Sequence, residues 1–315
     1  MTIDQKFINQ FVNVTSKAAL ASYHLIGKKD KIAADKAAVD SMRNELNKLN
    51  IKGKIVIGEG ELDEAPMLYI GENVGSTYGP EIDIAVDPLE GTNFVANNLP
   101  GALSVIAIAE KNSLFNAPET YMEKISAKVN EKGVIDLDYS VKENIFNLSE
   151  YLNKKPESIT ACVMDRPRHK DIIGDLNKLG VKIKLITDGD VSGALLVTDD
   201  IYGVDIFLGT GGGPEGVLAS AALDTFKCTF QGRFLFHTEK DKRRANKMGI
   251  TNLTKKYELD EIVKGDSIFC ATGITSGDLV SGIKTENNEF VSETLITHKS
   301  TGLKKIIKKV VNRSC

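Results

Sequence analysis

The sequence predicts an α/β protein, with an α+β N-terminal domain followed by an α/β C-terminal domain. Three observations lead to that class. The first fifty residues carry apolar side chains at helical spacing. The pattern then changes to short β-type runs broken by glycine and proline. From about residue 155, strand-like runs alternate with helical ones, as in βα repeats.

The elements follow in order. Phe7, Phe11, Val14, Ala18 and Leu25 mark a first helix, which Gly27 and the KKDK segment separate from a second. The second carries Ala33, Ala37, Met42, Leu46 and Leu49, with Asp35 near its start. Residues 54–57 (KIVI), 81–87 (EIDIAVD) and 102–109 are expected strands, the second stopping at Pro88. Further strands are expected at 159–164, 181–186 and 204–208, each followed by a polar or glycine-rich loop and a helix. In open α/β sheets that edge collects ligands. Residues 232–236, 267–270 and 289–296 complete the strands, and a basic tail follows. The change of pattern near Pro156 sets the expected division at 1–155 and 156–315.

Composition narrows the function. The 315 residues include 40 Lys and Arg against 43 Asp and Glu, a net charge of -3. No basic excess exists to hold a nucleic-acid backbone or an anionic membrane. No run approaches the roughly 20 apolar residues of a membrane span, and no signal-type segment opens the chain, so the expected compartment is cytoplasmic. Cys162, Cys228, Cys270 and Cys315 are scattered and form no CxxC, so they read as ordinary thiols. The four histidines are dispersed, without HExxH or a Ser-His-Asp pattern; only His169, beside two arginines, reads as a candidate phosphate contact.

The strongest local signal is Asp87-Pro88-Leu89-Glu90-Gly91-Thr92. An apolar strand runs into Asp87, a proline turns the chain, and Glu90 returns a second carboxylate with the Leu89 carbonyl between them. Such a set of oxygens suits a hard cation. Glu59 lies in a second acidic loop with Glu61, Asp63 and Glu64, and Asp35 is a third candidate. Acids forced together repel unless a cation offsets their charge.

Residues 57–72 (IGEGELDEAPMLYIGE) and 83–93 (DIAVDPLEGTN) closely resemble the class II fructose-1,6-bisphosphatases, within the lithium-sensitive phosphatase superfamily. So do Asp35 in AADKAAVDSMR, 116–124 (NAPETYMEK), 166–169 (RPRH), 188–190 (DGD), 212–217 (GGPEGV) and 271–279 (ATGITSGDL), in order along almost the whole chain. Glu90 stands where the wider superfamily carries aspartate. The resemblance implies a layered αβαβα sugar-phosphatase fold and Mn2+ or Mg2+ as cofactor. It implies metal ligation by Asp35, Glu59, Asp87, Glu90, Glu215 and the Leu89 carbonyl. It implies substrate contacts from Glu90, Gly91, Thr92, Tyr121, Arg166, Pro167, Arg168, Asp188, Gly189, Asp190 and Gly212. Thr92 would position the attacking water, its proton passing to Asp35 or a neighbouring glutamate such as Glu59. Family members are homo-oligomers, as dimers or tetramers.

Some residues keep two readings. Arg166 and Arg168 suit a distant phosphate held bidentately, or form a solvated loop pair. Asp188 and Asp190 suit sugar hydroxyls, or cap the helix at Val191. Tyr121 offers a phenol to the cleft, or packs half-buried. The expected reaction is hydrolysis of the 1-phosphate of fructose 1,6-bisphosphate. The alternatives are a sedoheptulose-1,7-bisphosphatase, an inositol-phosphate phosphatase, and a non-catalytic sugar-phosphate sensor. A nucleotide-dependent oxidoreductase is disfavoured, because GxGxxG is absent at the register that begins with Gly209 (GTGGGPE).

Overall fold

The computed structural model describes residues 3–60 and 67–311. Its elements begin with α1 (Phe7–Tyr23), α2 (Lys31–Leu46), β1 (Lys52–Ile57), β2 (Asn73–Val74), β3 (Glu81–Glu90), α3 (Thr92–Asn97) and β4 (Leu103–Glu110). There follow β5 (Tyr121–Ala127), α4 (Val141–Tyr151), β6 (Thr160–Met164), α5 (Lys170–Lys178), β7 (Lys182–Ile186) and α6 (Asp190–Leu195). Next come β8 (Ile206–Gly212), α7 (Gly213–Phe226), β9 (Thr229–Leu235), α8 (Glu239–Lys247), β10 (Lys256–Glu258) and α9 (Leu259–Ile262). The last strands are β11 (Ser267–Gly273), β12 (Lys284–Glu286), β13 (Glu289–His298) and β14 (Leu303–Val311). Sheets mixed with helices make this an α/β fold. Among the described residues, no helix is long and apolar enough to cross a membrane.

The chain forms two compact units, one from residues up to 115 with those from 263 onward, the other from 116–262. This differs from the expected division at 155, and strand pairing gives the reason. β11 pairs with β4 from Ser267↔Ala109 to Gly273↔Leu103, returning the last segment to the first unit. β5 lies between β8 and β9, so it belongs to the second unit although it precedes residue 155.

In the first unit the described strands run in the order β12-β13-β11-β4-β3-β1-β2, with β14 added along β13. β1 and β3 are parallel; the other pairs are antiparallel. α1 forms because its apolar residues recur on one face: Phe7, Phe11, Val14 and Ala18 are all buried, against the sheet and α2. Phe11 is wholly buried, and its truncation to alanine would cost about 3–5 kcal/mol. Asp30 starts α2 by accepting the Ala33 N–H at 2.9 Å. The turn before α2 is fastened to α3, with Gly27 N–H donating to the Val95 carbonyl at 2.8 Å and Lys29 N–H to Ala96 at 3.0 Å.

In the second unit the order is β10-β9-β5-β8-β6-β7, with β6 parallel to both β7 and β8. α4 begins with a capping box between Ser140 and Glu143. The core gathers Ile125, Ile145, Leu148, Val163, Leu176 and Ile206 between helices and sheet.

Several expectations change. β3 does not stop at Pro88. It continues to Glu90 through an irregularity between Asp87 and Glu90, where β4 supplies the pairing. Residues 209–212, read as a loop, are the end of β8, because β5 pairs with them up to Tyr121↔Gly212. The basic tail is β14, which pairs with β13 from Phe290↔Val311 to His298↔Leu303. β5, α4 and α8 had no counterpart in the sequence reading.

Candidate active site

The first unit builds an acidic edge. β1 and β3 are parallel, with Ile57 opposite Ala85. Glu59 and Asp87, each two residues further on, therefore leave neighbouring strands at the same end of the sheet. Asp87 is half-buried and Glu90 buried at 4% exposure. The Glu59 loop is held at its base. Its N–H donates to the Leu68 carbonyl at 3.0 Å, and Ile70 N–H donates to Gly60 at 2.9 Å. Gly58 is required there, since a Cβ would lie 1.9 Å from the Leu68 carbonyl oxygen. Buried Glu72 locks the far side, accepting from the Leu68 N–H and, at 2.5 Å, from Arg43 Nε on α2. Glu61, Asp63 and Glu64 lie outside the described residues.

Gly91 turns β3 into α3. It has φ +80°, and a Cβ would stand 2.6 Å from the Phe94 ring. That turn puts Thr92 at the first position of α3, half-buried, directly after the Leu89–Glu90 carbonyl and carboxylate. Asp35 lies near the start of α2, whose preceding turn is bonded to α3. Burial alone raises its carboxyl above the usual range. By contrast, Asp83 on the same strand is structural: its carboxylate accepts the Ser113 N–H at 2.8 Å and the Leu114 N–H at 3.2 Å.

The second unit gathers the other expected residues. Tyr121, Gly212 and Glu215 line one cleft of about 450 Å3, with Glu119, His237 and Asp241. Tyr121 is 46% exposed, which favours the cleft-facing reading over half-buried packing. The Arg168 guanidinium sits 5.0 Å from its ring centroid, and His237 meets the ring edge-on at 6.4 Å. Arg168 Nε also donates to the Thr210 carbonyl at 2.7 Å, so this arginine is anchored. Arg166, in the extended conformation that Pro167 imposes, approaches Asp188 at 3.9 Å, a weak and exposed pair. Gly189, at φ +85°, is the N-cap of α6, and its N–H donates to the Asp188 carboxylate at 3.2 Å, so the sugar-contact and capping readings of Asp188 and Asp190 both stand.

His169 is not a phosphate ligand. It is fully buried, and both ring nitrogens are engaged, Nδ1 with the Met164 carbonyl at 2.8 Å and Nε2 with the Thr210 N–H at 2.7 Å. Burial, with a smaller push from Arg168, lowers its pKa.

Lys124 is the residue that the sequence reading passed over. It is 1% exposed, and its ammonium donates to Asp190 Oδ2 and, at 2.5 Å, to the Gly212 carbonyl. Glycines make the room: a Cβ on Gly211 would fall 1.9 Å from Asp190 Oδ2, and one on Gly212 1.9 Å from Glu215 Oε2. Burial raises the Glu215 carboxyl; Lys124 opposes that rise, while Asp190 and Asp188 add to it. The available sign was Lys124 in YMEKISA, alternating with Met122 and Ser126 on the buried face of a strand.

The oxygen donors Glu59, Asp87 and Glu90 at one edge of the first unit's sheet suit a hard divalent cation by chemistry. Among the described residues, no three Asp, Glu, His or Cys side chains close into a complete ion-binding group. Asp35, Glu59, Asp87 and Glu90 belong to the first unit, and Glu215 to the second.

An α/β protein with carboxylates at one sheet edge is placed, by the family that it matches, among the phosphatases that depend on divalent metal. The profile of the family described as "Bacterial fructose-1,6-bisphosphatase, glpX-encoded" matches residues 5–311, and the chain belongs to that family. A D-fructose 1,6-bisphosphatase class 2/sedoheptulose 1,7-bisphosphatase of Prochlorococcus marinus (strain AS9601) is 42% identical over 308 residues, covering 93% of this chain and 92% of the relative. The protein of the same description from Synechococcus sp. (strain JA-3-3Ab) is 40% identical over 319 residues, with the same coverage of 93% and 92%. Among solved structures, the extragenic suppressor protein suhB of Bartonella henselae matches at 13% identity over 62% of this chain and 74% of that one. Its TM-score is 0.34, a likeness too slight to inform the site.

Proposed function

We propose that the protein hydrolyses the 1-phosphate of fructose 1,6-bisphosphate, giving fructose 6-phosphate and phosphate, with Mn2+ or Mg2+ bound. The observation that carries this reading is the parallel pairing that sets Glu59 and Asp87 at one sheet end, beside buried Glu90 and Thr92. Asp35, Glu59, Asp87, Glu90, Glu215 and the Leu89 carbonyl would hold the ions. When bound, the ions neutralise phosphate oxygens, acidify a water and stabilise the leaving alkoxide.

The chain's own groups do the rest. Thr92 Oγ1 accepts a proton from the attacking water and passes its own to a carboxylate, with Asp35 or Glu59 as the acceptor. Glu90, Gly91 and Thr92 orient the reacting ester. Arg166, Pro167 and Arg168 bind and orient the distant phosphate, since a planar guanidinium suits bidentate phosphate contacts. Asp188, Gly189, Asp190, Tyr121 and Gly212 contact the sugar.

Phosphate release from fructose 1,6-bisphosphate tests the reading. Activity should be abolished by chelator and restored by manganese or magnesium. Release that is absent with either metal would end it. A second substrate, sedoheptulose 1,7-bisphosphate, is favoured by the double description of the relatives, and comparing kcat/KM for the two sugars ranks them. A non-catalytic sensor is disfavoured because Thr92 and every expected metal acid are retained. The protein is further proposed to be cytoplasmic and to assemble as a homodimer or homotetramer.

A further inference from the structure

We infer that Lys124 is a positioning residue for the sugar: it holds Asp190 by Oδ2 so that Oδ1 is left to accept a hydrogen bond from a substrate hydroxyl. This rests on the reading of the second unit as the sugar-phosphate side of a bisphosphatase. Lys124 is among the largest fully buried side chains, and its ammonium joins two segments far apart in sequence, Asp190 at the start of α6 and Gly212 at the end of β8. A buried ion pair kept for stability alone would leave few polar atoms unmet. Asp190 does not follow that pattern. Its residue is 7% exposed, yet Oδ1 is buried and has no hydrogen-bond partner among the described residues.

A buried carboxylate oxygen without a donor is costly, and a hydroxyl arriving from a ligand relieves that cost. Glycines leave the space that the Asp190 carboxylate occupies. Gly211 presents no side chain to Asp190, where a Cβ would overlap Oδ2 at 1.9 Å and stand 2.9 Å from Oδ1. Gly212, whose carbonyl takes the second hydrogen bond of Lys124, lines the cleft beside Tyr121 and Glu215. Gly216 leaves space for Met122, the neighbour of Lys124 on the buried face of β5, since a Cβ there would lie 2.6 Å from the Met122 sulfur. The ammonium is thus fixed at two points, and it fixes the carboxylate in turn.

Steady-state kinetics with fructose 1,6-bisphosphate, together with thermal melting, test the assignment on the full-length metal-loaded enzyme. Wild-type turnover is the control: its absence would count against the bisphosphatase reading and leave the lysine assignment to be judged by binding of fructose 6-phosphate. Lys124→Met is expected to raise KM about tenfold or more, the scale of a hydrogen bond to a charged group, with kcat changed much less. Gly211→Ala keeps the lysine, displaces Asp190, and should give the same KM signature even if Lys124→Met fails to fold. In an Asp190→Asn background, Lys124→Met should add nothing further to KM. A fall in melting temperature with KM unchanged in both single variants would make Lys124 purely structural and overturn the inference. So would a loss confined to kcat, or full additivity with Asp190→Asn.

Discussion

His169 Nε2 accepts the backbone N–H of Thr210 at 2.7 Å, which leaves Nδ1 to carry the proton that is donated to the Met164 carbonyl at 2.8 Å. One neutral tautomer satisfies both bonds, and burial lowers the pKa of the ring. A histidine kept neutral by folding contributes stability that is complete above its unfolded value of about 6.5 and is lost as pH falls toward the lower folded value. His169→Gln should therefore lose about 2 kcal/mol at pH 8, the scale of two buried hydrogen bonds. The deficit relative to wild type should shrink below about pH 6.5. Urea unfolding at a series of pH values checks both; a deficit that grows on acidification contradicts the assignment.

Thr92 occupies the first position of α3, immediately after buried Glu90 and the tight turn at Gly91. Thr92→Ala should lower kcat by about 100-fold or more, with KM and melting temperature nearly unchanged, because only the proton transfer is removed. Turnover close to wild type would exclude this hydroxyl from the chemistry.

Arg168 is pre-set by the Thr210 carbonyl and the Tyr121 ring, whereas Arg166, among the described residues, has a distant partner in Asp188. Arg166→Ala and Arg168→Ala should each raise KM for fructose 1,6-bisphosphate about tenfold, with smaller effects on kcat. With fructose 1-phosphate, which lacks the distant phosphate, the same substitutions should make little difference. Equal losses on both substrates would place these arginines elsewhere in the mechanism.

Gly91→Ala should destabilise the protein by about 1–2 kcal/mol, the cost of a left-handed conformation for a residue with Cβ. The added methyl also meets Phe94, so α3 must shift and turnover should fall along with stability. Chemical denaturation and kcat measured on the same preparation test the pair. Unaltered stability would mean that the turn relaxes without strain.

Much of the acidic edge was legible because its signal is local. An apolar strand, a proline, two acids and a glycine within six residues state their own geometry, and Asp87, Glu90 and Thr92 fall at the strand end and helix start that this order requires. The position of Arg166 and Arg168 just after β6 was legible for the same reason, since Pro167 marks the turn there. The glycine run at 209–213 was misread as a loop. Glycine weakens a strand taken alone, but β5 pairs with this one, and the missing side chains make space for Asp190 and Glu215. His169 was misread because adjacency to two arginines in sequence says nothing about which way a ring turns.

The sequence by itself determined the fold class, the family and the kinds of atoms in the site. Those depend on composition and on spacing within a few residues, which the covalent chain fixes. Tertiary structure alone decided that the segment from residue 263 returns to the first unit, that His169 is sealed from ligands, and that Lys124 holds Asp190. Each of those depends on strand pairing or on burial between residues many positions apart, and no local pattern encodes which distant partner a backbone or a charge will meet.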